Sequence, residues 1–273
     1  MAIGVLMLAG GVAAGVFGSL LGLGGGILIV PLLTIGFGLP LREAVGVSLI
    51  CVIVTSGASA GVYLERHVAN LRLGMTLELF TAIGALAGGL VAFLLPERVL
   101  AGLFAALLVY VAVTMLRRRD SADDVAPGSP EADDASPRHP FGLPLDGPGY
   151  RVHNVGRGVI GSIGAGVVSA LLGIGGGLVK VPVMHLVMGV PLRVATATSN
   201  LMIGVTASAS AIIYLLRGGI DSFVAGPTAI GVFVGASIGS RTAHRVDLRI
   251  LRILFVAVLA YTAFEMARRA LGV

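Results

Sequence analysis

This chain of 273 residues is poor in cysteine, in lysine, in charge and in acids set deep within its apolar runs, and each scarcity narrows what it can do. The lone Cys51 excludes an internal disulfide and leaves no thiol cluster for a metal, so neither a metal site nor a cofactor is expected. It lies in an apolar stretch, where it reads as a lipid-facing or a packing residue. Only 12% of the residues are charged against 56% hydrophobic, with a mean hydropathy of +0.98, a balance far from that of a soluble domain. The chain reads as a polytopic protein of the cell membrane, with the lipid bilayer as its surroundings. Glu43, Glu65, Glu78, Glu97, Asp221 and Glu265 are all expected near helix ends, which leaves no mid-span acid for a proton relay. The apolar runs also hold no clustered Ser-His, Asp-Asp or His-Glu set, so an enzyme is not expected. The net charge of +5 comes from basic residues scattered in short loops beside the apolar runs, a placement that suits a membrane protein and not a nucleic-acid binder. Nothing in the pattern specifies an oligomeric state.

Apolar runs fall at 2–21, 26–39, 43–64, 74–95 and 98–116, and again at 158–173, 177–190, 194–216, 223–240 and 250–271. The first run has no charged leader and cleavage site before it and is expected to be retained as a helix. Between the two sets, residues 120–150 hold 6 of the 12 prolines and 7 of the 14 acidic residues, too little apolar surface to order themselves. The expected organisation is a first transmembrane repeat over 1–119, a flexible cytoplasmic linker over 120–150 and a second repeat over 151–273.

The word repeat is literal. Residues 15–64 and 166–215 align without a gap at an offset of 151, and 23 of the 50 pairs are identical. A duplication of this kind in a hydrophobic chain points to a transporter built from two related halves, with its substrate site where they meet. Each copy has a triple glycine, Gly24, Gly25 and Gly26 or Gly175, Gly176 and Gly177, followed by a run too short to span. Its 14 residues reach only about 21 Å at ~1.5 Å per residue, against the ~30 Å of hydrocarbon. The fold class expected is an all-α polytopic membrane protein of two inverted repeats. Each repeat has about five helical segments, with a glycine-rich break between two short helices that form either a re-entrant hairpin or two short tilted spans. Inversion gathers 13 of the 18 arginines on one face, whereas parallel halves split them 11 to 7. The stronger asymmetry puts the linker in the cytoplasm and both termini outside.

A backbone break at membrane depth persists only where it is buried in protein or lines a polar cavity. Helices beginning after Gly26 and Gly177 direct their first N–H groups toward the breaks, an arrangement suited to a small anion. The scattered glycines, such as Gly231, Gly235 and Gly239, read instead as small-residue packing. Lys180, the chain's one lysine, replaces Ile29 of the first copy and is expected to meet an anionic substrate unless its stem snorkels to the interface. His185, in place of Thr34, suits a packing or water-facing role as well as a ligand's. Ser48, Thr55 and Ser59 recur as Ser199, Thr206 and Ser210; of these, Ser48 and Ser199 could donate to an oxyanion, joined by Asn200 where the first copy has Leu49. Tyr63 and Tyr214 read as interfacial anchors.

The duplicated LLGLGGGILIVP and LLGIGGGLVKVP, each followed at a fixed distance by Pro40-Leu41-Arg42 and Pro191-Leu192-Arg193, resemble the TauE/SafE family of sulfite and organosulfonate exporters, also called TSUP. The likeness covers both halves and leaves out the linker. It implies an integral membrane transporter of small sulfur-containing anions such as sulfite, thiosulfate or sulfoacetate. An exporter working by alternating access is expected, with uptake of the same anions or an anion channel as alternatives. The pocket elements it implies are Gly24, Gly25, Gly26, Gly175, Gly176 and Gly177 with the helix starts after them. Lys180 and Asn200 occur in the second copy only, so the pocket is expected to be asymmetric.

Overall fold

The computed structural model describes residues 2–20, 26–65, 69–117, 145–147, 149–242 and 248–272. Among the described residues the first half holds α1 (Ala2–Leu20), α2 (Gly26–Pro31), α3 (Leu41–Glu65), α4 (Leu71–Leu94) and α5 (Glu97–Arg117). The second holds α6 (Val155–Leu172), α7 (Gly177–Pro182), α8 (Leu192–Leu216), α9 (Ser222–Thr242) and α10 (Leu248–Leu271). All ten apolar runs are therefore helical. Among the described residues five helical stretches are long and apolar enough to cross a membrane: Leu71–Leu94, Glu97–Thr114, Val155–Leu172, Val194–Leu216 and Ser222–Gly239. Their outward side chains, among them Leu79, Ile83, Leu90, Phe223, Ile230 and Phe233, are exposed and apolar, as a lipid-facing surface requires.

Local chemistry repeats between the halves. Pro31 and Pro182 close α2 and α7, and each is followed by a π-helical segment, Leu32–Gly36 or Val183–Val187, because proline supplies no N–H to the α-helical ladder. Each segment then ends in an equivalent turn, Leu39 N–H to Leu33 O at 3.1 Å and Val190 N–H to Met184 O at 3.0 Å. Of the two short helices expected around each break, the one before it is not short, with 19 residues in α1 and 18 in α6. Only the helix after each break is short. The paired lengths make hairpins: Gly10 of α1 lies against Leu32, while Gly158 and Gly161 of α6 lie against Met188 and Val183. Each hairpin returns the chain to the side it came from.

The halves exchange helices. α1 packs along α9, where Gly231, Gly235 and Gly239 lie against the backbone of Leu8, Val12 and Val16, the packing role expected of them. α4 packs along α6 in the same register, with Gly84 against Ile163 and Gly88 against Val167. Gly84 and Gly235 differ by 151 positions, as do Val12 and Ile163, so the two contacts are one contact made twice. α3 and α8 cross the centre of the core, where Cys51 is fully buried, which settles its two readings in favour of packing. Tyr214 corrects the interfacial reading: it is 0% exposed and its hydroxyl donates to the Ala170 carbonyl at 3.0 Å, because α6 and Phe93 of α4 close over the end of α8. The side chains of Tyr63 and Ser59 lie outside those described.

One end of the bundle collects Arg42, which donates to the carbonyls of Ala92 and Leu95, and Arg217, whose guanidinium, like that of Arg42, stands 5.9 Å from the Phe93 ring centre. Arg269 joins them by donating to the Thr34 carbonyl at 2.7 Å. The opposite end is built on Asn70. Its side chain accepts from Leu73 N–H at 3.0 Å to cap α4, and donates to Leu145 O and Tyr150 Oη at 2.8 Å each. The linker expected over 120–150 lies outside the described residues as far as 144. Its last part is packed down because Leu145 is fully buried and Gly147 pairs with Tyr150. Burial pushes the Tyr150 hydroxyl above its ordinary range. Asn70→Ala is expected to cost about 1–2 kcal/mol through the lost cap and the orphaned carbonyl, read as a lower thermal midpoint of the purified protein.

Candidate functional site

The glycine breaks meet where the halves meet. Gly24 and Gly25 lie outside the described residues, but Gly26 opens α2 so close to the second break that an added Cβ would stand 2.8 Å from the Gly173 carbonyl. Ser48 of α3 joins the two: its hydroxyl donates to Gly173 O at 2.7 Å and lies 3.2 Å from Gly26 O. In the second break Gly173, Gly175 and Gly176 have φ of +70°, +76° and +77°, a left-handed backbone that strains any side chain. Gly176 O then accepts the N–H of Lys180 at 3.0 Å and starts α7. Gly177 sits against α8, where an added Cβ would be 2.6 Å from Ile203 and 3.5 Å from Ser199 Oγ.

Polar atoms gather on this second break. Ser199 Oγ beside Gly177, the Oγ of Ser169, whose Cβ lies near Gly176, and Ser162 Oγ two turns earlier on α6 are all buried and have no hydrogen-bond partner among the described residues. Buried hydroxyls without partners are unusual in a packed interior. One turn into α7, Lys180 is 3% exposed, which removes the snorkelling reading. Its ammonium is paired with the Glu78 carboxylate of α4 and donates to Thr206 Oγ1 of α8 at 3.1 Å, while Thr206 donates to Glu78 Oε1 at 2.6 Å. The charge expected to await an anion already has a protein counter-ion.

Glu78 corrects the reading that no acid is available within the spans. It is the eighth residue of α4, about 10 Å from the helix start at ~1.5 Å per residue, and only 5% exposed. Position along the apolar run suggested a helix end; the packing of α6, α7 and α8 over that turn buries it. A signal was present in the repeat: at the offset of 151 the partner positions Lys180 and Glu78 correspond to Ile29 and Ala229, so both charges enter the same half-site together. Of the other expected donors, Ser48 has given its proton to the seam. Asn200 is half-buried, and its backbone carbonyl accepts from Ser56 at 2.9 Å. His185 Nδ1 lies 2.9 Å from Val190 O, a packing role. Thr55 and Ser210 donate to carbonyls of their own helices. A separate groove between α1, α2 and α10, lined by Phe17, Leu32, Phe255 and Tyr261, is almost entirely apolar and offers an anion no charge.

Comparison with known proteins agrees with this architecture. The model of the family described as "Sulfite exporter TauE/SafE" matches residues 7–266. The probable membrane transporter protein YunE of Bacillus subtilis is 23% identical, over 96% of this chain and 97% of its own. A probable membrane transporter protein of Methanocaldococcus jannaschii is 26% identical, over 96% of this chain and 94% of its own. The probable membrane transporter protein MamO of Magnetospirillum gryphiswaldense is 24% identical over 97% of this chain, which spans 44% of that longer protein. No solved structure matches.

Proposed function

Because the chain belongs to the TauE/SafE family and is a multi-pass membrane transporter, we propose that its cargo is a small sulfur-containing anion, sulfite, thiosulfate or an organosulfonate, carried out of the cell by alternating access of two inverted halves. The observation that carries the anion reading is the burial of the chain's one lysine, Lys180, beside the break at Gly175, Gly176 and Gly177, with the unpartnered Ser199 hydroxyl on the same break. Intramembrane charge of this kind is costly and is characteristic of ion pathways. Gly26 and Ser48 face the second break across the seam, and Gly24 and Gly25 are assigned to the same site from the repeat alone; Ser199 and Asn200 are its proposed donors. Inversion is supported by the two hairpins, which give each half an odd number of passes. Arginine asymmetry supports a cytoplasmic linker with both termini outside.

Counterflow in liposomes tests the reading. Vesicles holding the purified protein and preloaded with thiosulfate are expected to take up labelled thiosulfate saturably and faster than empty ones. A channel shows no such trans-stimulation. Absence of saturable flux for thiosulfate, sulfite and sulfoacetate alike, relative to protein-free vesicles, would remove the anion reading.

A further inference from the structure

We propose that the transporter binds its anion together with a proton, the anion taking the place of the Glu78 carboxylate on Lys180 and the proton going to Glu78. This deepens the reading above and rests on Lys180 as the anion's partner. Four states of the site can be compared by charge alone. With neither ligand, the Lys180 ammonium and the Glu78 carboxylate neutralise each other, as the structure shows them. An anion alone would leave the carboxylate buried without a counter-ion, and a proton alone would leave the ammonium so. Both are strongly disfavoured in a site whose two side chains are 3% and 6% exposed. With a monoanion and a proton both bound, the lysine is paired again and the glutamic acid is neutral. Only the empty and the doubly loaded states avoid a buried, unmatched charge.

Thr206 fits both of those states. Its hydroxyl donates to Glu78 Oε1 when the acid is ionised and can accept the O–H when it is protonated. Lys180 remains an ammonium throughout, and no bond other than the carboxyl O–H is made.

The pair is not needed to build the fold. At the offset of 151 the other half-site is closed by Ile29, 0% exposed, and Ala229, 9% exposed, with Thr55 in place of Thr206. Buried apolar side chains fill the same positions there, so the charges serve something other than packing. They also join α4 of the first half to α7 and α8 of the second. No other described charge faces the pair. On the surrounding elements Arg72, Arg157 and Arg217 are exposed at helix ends, and His185 is engaged with Val190; the side chain of Arg193 is not among those described.

Coupling in this sense makes the movement of a monoanion electroneutral. The direction of net flux then follows the sum of the anion and proton gradients, not the membrane potential.

Calorimetric titration of the full-length protein with isethionate, an organosulfonate that is a monoanion at neutral pH, in buffers of different ionisation enthalpy counts the protons. About one proton is expected to be taken up per anion bound, with affinity falling about tenfold for each pH unit. Glu78→Gln is expected to bind with no proton uptake and no such pH dependence. Binding to the unaltered protein without proton uptake overturns this inference and leaves the anion reading intact, and that count decides even if the variant does not fold. Proton uptake that survives Glu78→Gln overturns the assignment to Glu78. No binding by isethionate, thiosulfate, sulfite or sulfoacetate overturns the anion reading, and this inference with it.

Discussion

Lys180→Met is expected to destabilise the protein by about 3–5 kcal/mol, because it strands the Glu78 carboxylate in a site that excludes water. A buried pair contributes little net stability, since desolvation cancels most of its attraction; the large cost comes from breaking one side of it. The double variant Lys180→Met with Glu78→Leu is therefore expected to recover to within about 1–2 kcal/mol of the unaltered protein, since the equivalent positions of the other half, Ile29 and Ala229, are apolar and buried. Thermal denaturation in detergent compares the three proteins. The same samples with thiosulfate separate stability from function: the double variant should be stable yet show no thiosulfate-induced rise in midpoint. A double variant that still responds to thiosulfate as the parent does would return the pair to a structural role.

Gly84→Leu is expected to be equally severe for a different reason. A Cβ at this position would be driven into the Ile163 carbonyl, and backbone cannot give way as a side-chain end can. α4 and α6 would have to move apart along their whole contact. The cost is about 3 kcal/mol or more, at the upper end of overpacking in a close helix interface. Gly235→Leu meets the Val12 carbonyl in the repeated contact and should cost about as much. Fluorescence-detected size exclusion of the two variants, read after a heating series, checks both. Unequal losses would show that the two exchanged contacts do not carry the same packing. By contrast Gly57, with open space around it, is expected to accept alanine with no measurable change.

Much of this architecture could be read from composition and periodicity. Helices were legible because an apolar run in lipid has no other way to satisfy its backbone. The duplication was legible as identity at a fixed offset, and the glycine breaks as its least ordinary part. Gly231, Gly235 and Gly239 announced close packing by spacing alone. Gly84 and Gly88 follow the same spacing and were not singled out, although the repeat maps them onto Gly235 and Gly239.

The candidate site was legible only in part. Lys180 stood out because the rest of the basic residues are arginine, but a linear sequence does not say what a side chain faces. Glu78 is 102 positions away from Lys180 and on the other half of the molecule. Its distance from the end of an apolar run suggested exposure, whereas burial depends on which helices pack over it. Tyr214 was misread for the same reason, since a position at the end of a spanning helix is interfacial only if no neighbour covers it.

What the amino-acid sequence determined by itself is the class of the protein, its ten helical runs, its duplication and the place of its two breaks, all of which follow from local hydrophobicity, backbone chemistry and self-similarity. Tertiary structure alone decided how the halves exchange α1 and α6, which hydroxyls are left without partners, and that the buried lysine already has a carboxylate. Those are relations between residues far apart in the chain. They arise from the shape of packed helices, where a single glycine sets how closely two backbones approach and one added charge must find its opposite within reach.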